Sequence, residues 1–528
     1  MCPNLDLSPY SLTTISNVVQ NFRANTYVLS SQDQQDIGVY QLSNPEKHGE
    51  IIASLPPMYP EWLGDRIFCN THNLRFAYIG GAMARGISSA EMVIELGKIG
   101  AMGCFGSAGL SIETTEKALQ KIGAALDPIG ASWSVNIIHT PANPEEENAL
   151  IDLYLQYGVK RVSAAAFMNS NKALIRYVAK GLSLDVDGNI QRSHYLFPKV
   201  SRTEVAKHFL MPPPPDMVQE LLNEGTISSE EASLILQIPL AEDLTIESDS
   251  GGHTDFRPLN SLFSVIAQQR DRIQEEYQFE TSVRLGAAGS LGTPESIAAA
   301  FSLGASYVVI GSVHQSAVES GLSDTAKLML TKASITDTIA TPSADMFEIG
   351  GKVQVLKKNT MMGLRGNRLQ EIYNRYSCLE EIPPSIQNEI EKNIFRNTLS
   401  NIWILTQQFF EHIDSKEIQR AKDSPKYKMA LVFRWYLGNS SKWALQGHID
   451  RKLDFQVWCG PAMGAFNSWV SGTFLDPIEN RTIAQIALNL LEGASMHTRA
   501  QQLRCYGVPI QSHLTKYIPQ HITYQNHN

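Results

Sequence analysis

The sequence predicts an α/β protein built on a (β/α)8 TIM barrel, with a helical insertion and a mainly helical C-terminal subdomain. The first observation is a set of eight short apolar segments between residues 75 and 320, separated by stretches with helical patterning. Eight buried strands, each followed by a helix over about 250 residues, are typical of this barrel. The second observation is the absence of a G-x-G-x-x-G turn, which the rival fold, an open doubly wound sheet, usually carries after its first strand.

The elements follow from local signals along the chain. Asn143 before Pro144, and Thr293 before Pro294, are typical helix starts, because both side chains can cap a helix whose first residue is proline. Residues 296–318, between Glu295 and Glu319, carry no charge, yet their serines and glycines favour a buried helix and strand over a membrane span. The predicted strands are Phe76–Ile79, Met102–Phe105, Ser132–Asn136, Arg161–Ala164, Phe197–Val200, Leu244–Glu247, Val283–Gly286 and Tyr307–Ile310.

Three regions are expected. Residues 1–70 form an accessory segment, residues 71–325 the barrel, and residues 326–528 a helical C-terminal or lid subdomain. An insertion at about 211–240 begins where Pro212–Pro215 ends a helix, and it continues as short helices at 216–223 and 228–237. Insertions on βα connections usually lie near the catalytic mouth of a barrel.

Composition excludes several classes of protein. The chain has 528 residues, 43% hydrophobic and 18% charged, which indicates an ordinary globular protein rather than a disordered or fibrous one. Its formal net charge of -9 argues against general nucleic-acid binding. The six cysteines form no CxxC pair, so we expect neither disulfides nor a structural metal. The N-terminus lacks a secretory pattern, and we expect a cytoplasmic protein without a membrane segment; the sequence is compatible with a homodimer.

Two glycine-containing turns give the strongest indication of a site. The first follows strand seven and includes Ala288, Gly289 and Ser290, and the second, Gly311 and Ser312, follows strand eight. Barrels commonly bind phosphate between these two loops, because glycines let the backbone approach the anion with free N–H groups. Tight βα turns without a ligand are the simpler alternative.

A histidine follows strand six. Gly251 and Gly252 precede His253, and they are expected to hold the backbone close to the contents of the barrel mouth and to leave the imidazole facing inward. Histidine titrates near neutrality, so it can donate or accept a proton there. His253 is therefore the predicted catalytic residue, although a lone histidine is often structural.

Other strand ends carry residues suited to a flat heterocycle. Gly81, Ala82 and Met83 follow strand one, where small residues let a ring lie against the backbone. Asn136 ends strand three with an amide that can bond both donors and acceptors. Lys199 lies within apolar strand five, where either an anionic cofactor group or a buried carboxylate would compensate its charge. Together these residues suit a phosphorylated flavin, and they would also suit a phosphosugar.

The chain resembles the FMN-dependent barrel family of nitronate monooxygenases and bacterial flavin enoyl-acyl carrier protein reductases. The resemblance rests on the glycine turns, the strand-three asparagine and the SGGH histidine. Nearly the whole chain is more closely similar to the PfaD-type trans-acting enoyl reductases of polyketide and polyunsaturated fatty acid synthases. The matching stretches are ESDSGGHTDFRP (247–258), RLGAAGSLGTPES (284–296), ADMFEIGGKVQVLKK (344–358), FRWYLGNSSKWA (433–444) and DFQVWCGPAMGAFNSW (454–469). Ser290 stands where a second glycine is usual.

The resemblance implies a reaction. NADPH or NADH would reduce FMN, which would pass hydride to the β-carbon of an α,β-unsaturated thioester on an acyl carrier protein. His253 would polarise the thioester carbonyl or supply the proton to the α-carbon, and the resemblance leaves both roles open. The glycines, Asn136, Lys199 and the serines of the two turns would hold the cofactor.

One further feature points to a partner. Residues 349–370 contain Lys352, Lys357, Lys358, Arg365 and Arg368 and no acidic residue, so they could attract an acidic carrier protein, its phosphopantetheine or the extra phosphate of NADPH. A solvated helix face is the alternative. Four tryptophans in residues 435–469 favour a packed helical lid. Two rival hypotheses are oxygen-dependent nitronate oxidation by the same flavin barrel, and an inactive barrel that only docks in a synthase.

Overall fold

The computed structural model describes residues 8–33, 35–140, 143–413 and 415–524. Its N-terminal part is a helix and a three-stranded antiparallel sheet of order β2-β1-β3. Apolar residues of this part pack on the last long helix of the chain, so the accessory segment covers the C-terminal region. The elements are α1 (Leu12–Gln20), β1 (Thr26–Ser30), β2 (Ile37–Tyr40) and β3 (Glu50–Leu55).

Eight parallel strands close into a barrel, which confirms the predicted fold. Each of the eight predicted strands is present, and Met102–Phe105 and Tyr307–Ile310 have the predicted bounds. In chain order the strands of this region are β4 (Tyr78–Gly80), β5 (Met102–Phe105), β6 (Trp133–Ile138), β7 (Arg161–Ala165), β8 (Ser183–Leu184), β9 (Ile190–Gln191), β10 (Tyr195–Val200), β11 (Asp243–Glu247), β12 (Gly252–His253), β13 (Arg284–Ala288) and β14 (Tyr307–Ile310). The barrel order is β10-β11-β13-β14-β4-β5-β6-β7, and β8 and β9 form a separate hairpin.

The connecting helices begin where the sequence predicts. Asn143 accepts a hydrogen bond from the N–H of Glu146, and Thr293 accepts one from that of Ser296. The uncharged segment 296–318 contains most of a helix and the strand β14, as expected. No described helix combines the length and apolarity of a membrane span. The helices are α2 (Arg66–Thr71), α3 (Ala90–Lys98), α4 (Ile112–Leu126), α5 (Pro144–Gln156), α6 (Lys172–Ala179), α7 (Thr203–Leu210), the insertion helices α8 (Pro215–Asn223) and α9 (Ser229–Ile235), α10 (Leu259–Tyr277) and α11 (Pro294–Ser302).

The C-terminal region is mainly helical, but it also contains two strands that the sequence analysis did not predict. They pair with β12 in an antiparallel sheet of order β12-β16-β15. The region consists of α12 (Asp324–Leu330), β15 (Thr338–Pro342), β16 (Lys352–Leu356), α13 (Met362–Arg375), α14 (Pro384–Ile390), α15 (Leu399–Ile413), α16 (Ser415–Asp423), α17 (Pro425–Gln446), α18 (Pro461–Val470) and α19 (Ile483–Cys505).

The C-terminal region is divided between two cores. Helices α13, α14, α15 and α17 and strand β16 enclose a core of their own. Helices α18 and α19 share the main core with the barrel, and α19 packs against α11 and α3, which flank β14. Helix α19 thus takes the place of the eighth barrel helix, although residues 311–482 intervene. The five cysteines of the described part are free, and Cys2 lies outside the described residues.

Candidate active site at the barrel mouth

The closed parallel barrel brings the predicted site residues to one end. Each lies at or just beyond the carboxyl end of a barrel strand, where TIM barrels place their active sites. They come from six strands. Gly81, Ala82 and Met83 follow β4, Asn136 lies in β6, Lys199 in β10, Gly251, Gly252 and His253 follow β11, Ala288, Gly289 and Ser290 end or follow β13, and Gly311 and Ser312 follow β14.

The turn after β13 presents backbone donors. Gly289 has φ +83°, and a Cβ there would lie 2.6 Å from the carbonyl oxygen of Ser248, so only glycine fits. Ser290 also has positive φ, at 55°, which explains why the resembling family usually has glycine here. Its hydroxyl donates to the carbonyl of Asp249 at 2.9 Å. Within the described residues, the N–H groups of Gly289 and Ser290 donate to no acceptor, as a phosphate-binding turn requires.

The turn after β14 lies beside it. A Cβ on Gly311 would meet no atom within 4 Å, so this glycine borders open space. The Ser312 hydroxyl accepts a hydrogen bond from the N–H of Gly460 at 3.2 Å, which leaves its own hydrogen for another acceptor. The two turns therefore present two backbone N–H groups and one hydroxyl as free donors at the mouth.

Asn136 is 5% exposed, and its hydrogen bonds fix the orientation of its amide. Its Oδ1 accepts from the N–H of Ala108 at 3.2 Å and from the Ser107 hydroxyl at 3.0 Å. Its Nδ2 donates to no acceptor in the described part of the chain. The sequence suggested that this amide could bond both donors and acceptors of a ligand. Because Oδ1 is already occupied, Asn136 can offer a ligand only the N–H groups of Nδ2.

The turn after β4 is held tightly. The N–H of Gly81 donates to the carbonyl of Ile310 at 2.8 Å, and a Cβ on Gly81 would lie 2.9 Å from Val309 Cγ1. A Cβ on Gly106 would lie 1.8 Å from the Met83 carbonyl oxygen, so the second barrel loop fixes the backbone of the first. Ala82 and Met83 are half-buried. The predicted platform of small residues is thus preorganised.

Lys199 has a protein partner. Its Nζ lies 3.1 Å from Glu247 Oε1 of the neighbouring strand, and both side chains are partly exposed at the mouth. Of the two alternatives that the sequence left open, the carboxylate is the one present in the described structure. Lys199 remains close to the mouth, so an anionic ligand group would join an existing pair rather than compensate a lone charge.

His253 lies at the rim of the mouth. Strand β12 pairs with β16 so that His253 is opposite Val353, and the imidazole Nε2 is 3.3 Å from Asp345 Oδ2. Its side chain is 40% exposed. We expected the imidazole to face into the barrel. Instead, the polar contact of His253 is with Asp345 of the C-terminal region. Burial would raise the pKa of Asp345, but the hydrogen bond and charge of His253 outweigh it and lower that pKa.

The C-terminal region also shapes the loop that carries His253. A Cβ on Gly251 would lie 2.9 Å from the backbone nitrogens of Cys459 and Gly460 and from Ser312 Oγ. The close approach predicted for Gly251 is therefore made by the protein itself. Gln354 donates to Asp249 Oδ1 at 2.7 Å and to the carbonyl of Ser250 at 2.8 Å, which clamps the same loop.

Asp345, Gln354 and Gly460 contact the loop that carries His253, and the sequence did not indicate them as site residues. All three lie in stretches that were singled out for their resemblance, 344–358 and 454–469. The alternating pattern of Lys352–Leu356 was a signal for a strand, with Gln354 as its polar member. Nothing in the sequence, however, indicates that this strand pairs with residues 252–253.

The fold and the mouth together define the class of flavin-type oxidoreductase barrels. A family model described as nitronate monooxygenase matches residues 71–376, more than half of the chain, and the chain therefore belongs to the nitronate monooxygenase family. A second model, described as the inserted helical domain of [acyl-carrier-protein] S-malonyltransferase, matches residues 376–455.

Several proteins are similar beyond the barrel. The enoyl reductase domain of MlnA, from the macrolactin biosynthesis cluster of Bacillus amyloliquefaciens, is 38% identical with a TM-score of 0.80, over 85% of this chain and all of that one. The polyketide biosynthesis protein PksE of Bacillus subtilis is 40% identical over 468 residues, 87% of this chain and 60% of PksE. The polyketide biosynthesis protein ThaF of Burkholderia thailandensis is 39% identical over 440 residues, 83% of this chain and 37% of ThaF.

Polyunsaturated fatty acid synthases contain similar regions. One polypeptide of the synthase of a Thraustochytrium species is 43% identical over 449 residues, 84% of this chain and 30% of that polypeptide. These matches confirm the predicted relationship to enoyl reductases of polyketide and polyunsaturated fatty acid synthases. The chain spans between 22% and 60% of the length of the curated relatives it matches. FabK of Thermotoga maritima, at 17% identity and a TM-score of 0.50, supports the fold alone.

Proposed function

We propose that this protein is a trans-acting enoyl reductase that binds FMN and uses NADPH or NADH to saturate an α,β-unsaturated thioester on an acyl carrier protein. The observation that carries the proposal is the similarity to the MlnA enoyl reductase domain, which extends over all of that domain at 38% identity. The similarity includes the C-terminal region, whose Asp345, Gln354 and Gly460 contribute to the mouth.

The mouth fits FMN by its donor set. The free N–H groups of Gly289 and Ser290 and the Ser312 hydroxyl would hold the phosphate, and Asn136 Nδ2 would donate to the ring system. Gly81 would let the ring approach the backbone. When bound, FMN supplies hydride transfer between the nicotinamide and the alkene.

His253 is the residue of this chain that would act on the thioester. The Asp345 carboxylate lies 3.3 Å from Nε2 and holds the side chain at the rim of the mouth. From there the imidazole would give a proton to the α-carbon or polarise the carbonyl. Both roles that the sequence left open therefore stay open for His253.

The basic segment 349–370 supports an acyl carrier protein as partner, but it has fewer unpaired charges than the sequence suggests. Three of its five cations have carboxylate partners: Lys358 with Asp337, Arg365 with Asp454, and Arg368 with Glu389. Lys352 and Lys357 have none within the described residues, and Met361 and Leu364, which follow them in the chain, are 40% and 50% exposed. Exposed apolar residues and unpaired lysines that lie close in the sequence suit an acidic protein partner.

The test begins with the spectrum of the purified protein. We expect the absorption bands of an oxidised flavin, which NADPH bleaches without oxygen, and NADPH oxidation that depends on a crotonyl thioester of an acyl carrier protein. Repeating the assay with NADH identifies the preferred reductant. A colourless protein that does not bind added FMN would contradict the proposal, and it would favour the docking-only hypothesis if the carrier protein still bound.

A second candidate function is nitronate oxidation, which the description of the family model favours. Oxygen uptake with an alkyl nitronate in the absence of NADPH separates the two candidates. We expect none, because the similarity to an enoyl reductase domain extends through the C-terminal region.

A further inference from the structure

Arg85 is a cation at the barrel mouth for which the proposed reaction has no role. It lies in the loop after β4, two residues beyond Met83, and its φ of +58° is rare for a residue other than glycine. Its N–H donates to the carbonyl of Ala108 at 2.7 Å, and the N–H of Gly86 donates to that of Gly106 at 2.8 Å. The second barrel loop thus fixes the backbone from which this side chain extends.

The guanidinium is anchored through one nitrogen. Nη1 of Arg85 donates to Ser441 Oγ at 2.6 Å and approaches the Gly438 carbonyl at 3.4 Å, both on α17. Nε and Nη2 donate to no acceptor in the described ranges, and no carboxylate there forms an ion pair with Arg85. Burial lowers the pKa of Arg85, and no acidic group opposes that effect. A half-buried cation without a counter-charge is costly unless a ligand provides one.

The free edge of the Arg85 guanidinium, formed by Nε and Nη2, has the geometry that binds two oxygens. Arg284 uses its Nε and Nη2 to hold the carboxylate of Asp243, at 2.7 and 2.8 Å. Arg202 uses the same two nitrogens to hold Asp255, at 2.9 and 2.8 Å. This edge presents two parallel N–H groups that match a carboxylate or a phosphate. In Arg85 the edge is unused, while the remaining nitrogen keeps the guanidinium in place.

We propose that Arg85 binds a phosphate ester of the second substrate, namely the phosphodiester of a pantetheine arm or the 2′-phosphate of the dinucleotide reductant. The inference rests on the proposed function, which brings both groups to this mouth. The FMN phosphate has its own donors at Gly289 and Ser290, so it does not need Arg85. The pyrophosphate of the dinucleotide is common to NADP⁺ and NAD⁺, so a comparison of the two isolates the contribution of the 2′-phosphate.

Titration of the FMN-loaded protein tests the proposal without turnover. The probes are 4′-phosphopantetheine against pantetheine, and NADP⁺ against NAD⁺, measured by calorimetry. We expect the wild-type protein to prefer the phosphorylated member of one pair by about 10- to 100-fold, the contribution of hydrogen bonds to a charged group. Arg85→Gln should abolish that preference and Arg85→Lys should keep part of it; the pair affected identifies the source of the phosphate.

Two control variants separate binding from structural and general electrostatic roles. Lys442→Gln removes an exposed positive charge one residue from Ser441, and it should leave the preference unchanged. Ser441→Ala removes the tie between Arg85 and α17 but keeps the free edge, and it should retain a preference that Arg85→Gln lacks. If Lys442→Gln or Ser441→Ala lost as much of the preference for the phosphorylated ligand as Arg85→Gln does, the proposal would be overturned.

The FMN affinity of Arg85→Gln, from fluorescence quenching, supplies the last readout. We expect it to equal that of the wild type, and a loss would assign Arg85 to the cofactor and overturn the proposal. A preference that survives in Arg85→Gln for both pairs would overturn it as well. Failure of enoyl reduction would contradict the proposed function but would leave these titrations unaffected, so the two failures are distinguishable.

Discussion

At the N-terminal end of the barrel, ionisable side chains satisfy one another. Asp243 accepts from Arg284 Nε at 2.7 Å and lies 2.8 Å from His72 Nε2, while Arg161 Nε donates to His72 Nδ1 at 3.0 Å. All four side chains are less than 10% exposed. Arg284 also donates to Glu242, so the cluster closes this end with its charges compensated.

At the C-terminal end of the barrel, by contrast, several hydrogen-bond donors lack protein partners. Asn136 Nδ2, the N–H groups of Gly289 and Ser290, and the Nε–Nη2 edge of Arg85 donate to nothing in the described residues. Ser290 is exposed and Gly289 and Arg85 are half-buried, so these donors are accessible at the end of the barrel where TIM barrels place their ligands. The same barrel thus has paired ionisable groups at one end and free donors at the other.

Replacing Asp243 with asparagine should have the largest effect on stability. It removes the buried carboxylate that Arg284 holds through two nitrogens and leaves only the partly exposed Glu242 as its counter-charge. Breaking a buried pair typically lowers the free energy of unfolding by about 3–5 kcal/mol. Urea denaturation measures the loss. The fraction that remains folded should bind FMN with wild-type affinity, because the cluster lies at the opposite end from the mouth.

Asp324→Asn is the matched control for this variant. Asp324 is 97% exposed and lies 3.9 Å from Lys327, so its loss should change the free energy of unfolding by less than about 1 kcal/mol. A similarly small effect of Asp243→Asn would mean that the cluster at the bottom of the barrel does not stabilise the fold.

His253→Ala should have the largest effect on catalysis. Loss of a proton donor typically slows turnover by about 10²-fold or more, while the exposed position of His253 predicts little change in melting temperature. Steady-state kinetics with a carrier-bound enoyl thioester measure the loss, and the flavin spectrum should be unchanged. Turnover equal to wild type would remove His253 from the catalytic residues.

The barrel could be predicted because each βα unit carries its own signals. Strands such as Met102–Phe105 are buried on both faces, which gives the uninterrupted apolar runs that the sequence analysis used. Helix starts at Asn143 and Thr293 are local, since cap and first turn lie within four residues. The closed parallel sheet then brings strand ends together, so the predicted mouth residues followed without knowledge of any long-range contact.

What could not be predicted depends on contacts between distant segments. Strand β16 pairs with residues 252–253, about 100 positions earlier in the chain, and only that pairing places Gln354 and Asp345 beside the His253 loop. Helix α19 completes the barrel from the far end of the sequence, which periodicity cannot reveal. Likewise, the partner of Lys199 required the register that sets β10 beside β11.

Acidification should weaken the fold through buried histidines. Burial lowers the pKa of His314 to about 3 and also lowers that of His72, whereas the unfolded value is about 6.5. The unfolded chain therefore binds more protons below pH 6.5, and the stability that is present above this pH is lost as the pH falls. Between pH 6.5 and 5 the protonation of His314 alone should cost about 2 kcal/mol.

The contribution of His314 can be isolated by a variant. Its Nε2 lies 2.8 Å from the Tyr78 hydroxyl, an interaction that His314→Gln can retain without a titratable ring. Denaturation curves at pH 7 and pH 5 should show a smaller difference for this variant than for the wild type. Equal differences would mean that His314 does not contribute to the acid sensitivity.

The double variant Lys357→Glu and Lys358→Glu should have a smaller effect, confined to the carrier protein. Exposed charge pairs contribute about 1 kcal/mol or less, so the KM for a carrier-bound substrate should rise about fivefold and that for a free thioester should not change. Lys160→Glu, just before β7 at the opposite end of the barrel, is the control. Equal effects on both substrates would exclude docking at Lys357 and Lys358.

Ser290 offers the smallest and most local test of the mouth. Ser290→Gly relieves a side chain at φ +55° but loses the hydrogen bond to the Asp249 carbonyl, and each contributes about 1 kcal/mol with opposite sign. The net change in unfolding free energy should be under about 0.5 kcal/mol, whereas Ser290→Ala loses the bond without relief and should be the less stable variant. Both keep the backbone N–H, so both should retain FMN affinity. A loss of affinity in both would assign the binding to the hydroxyl, and the unused backbone donors would then no longer distinguish the mouth from the bottom of the barrel.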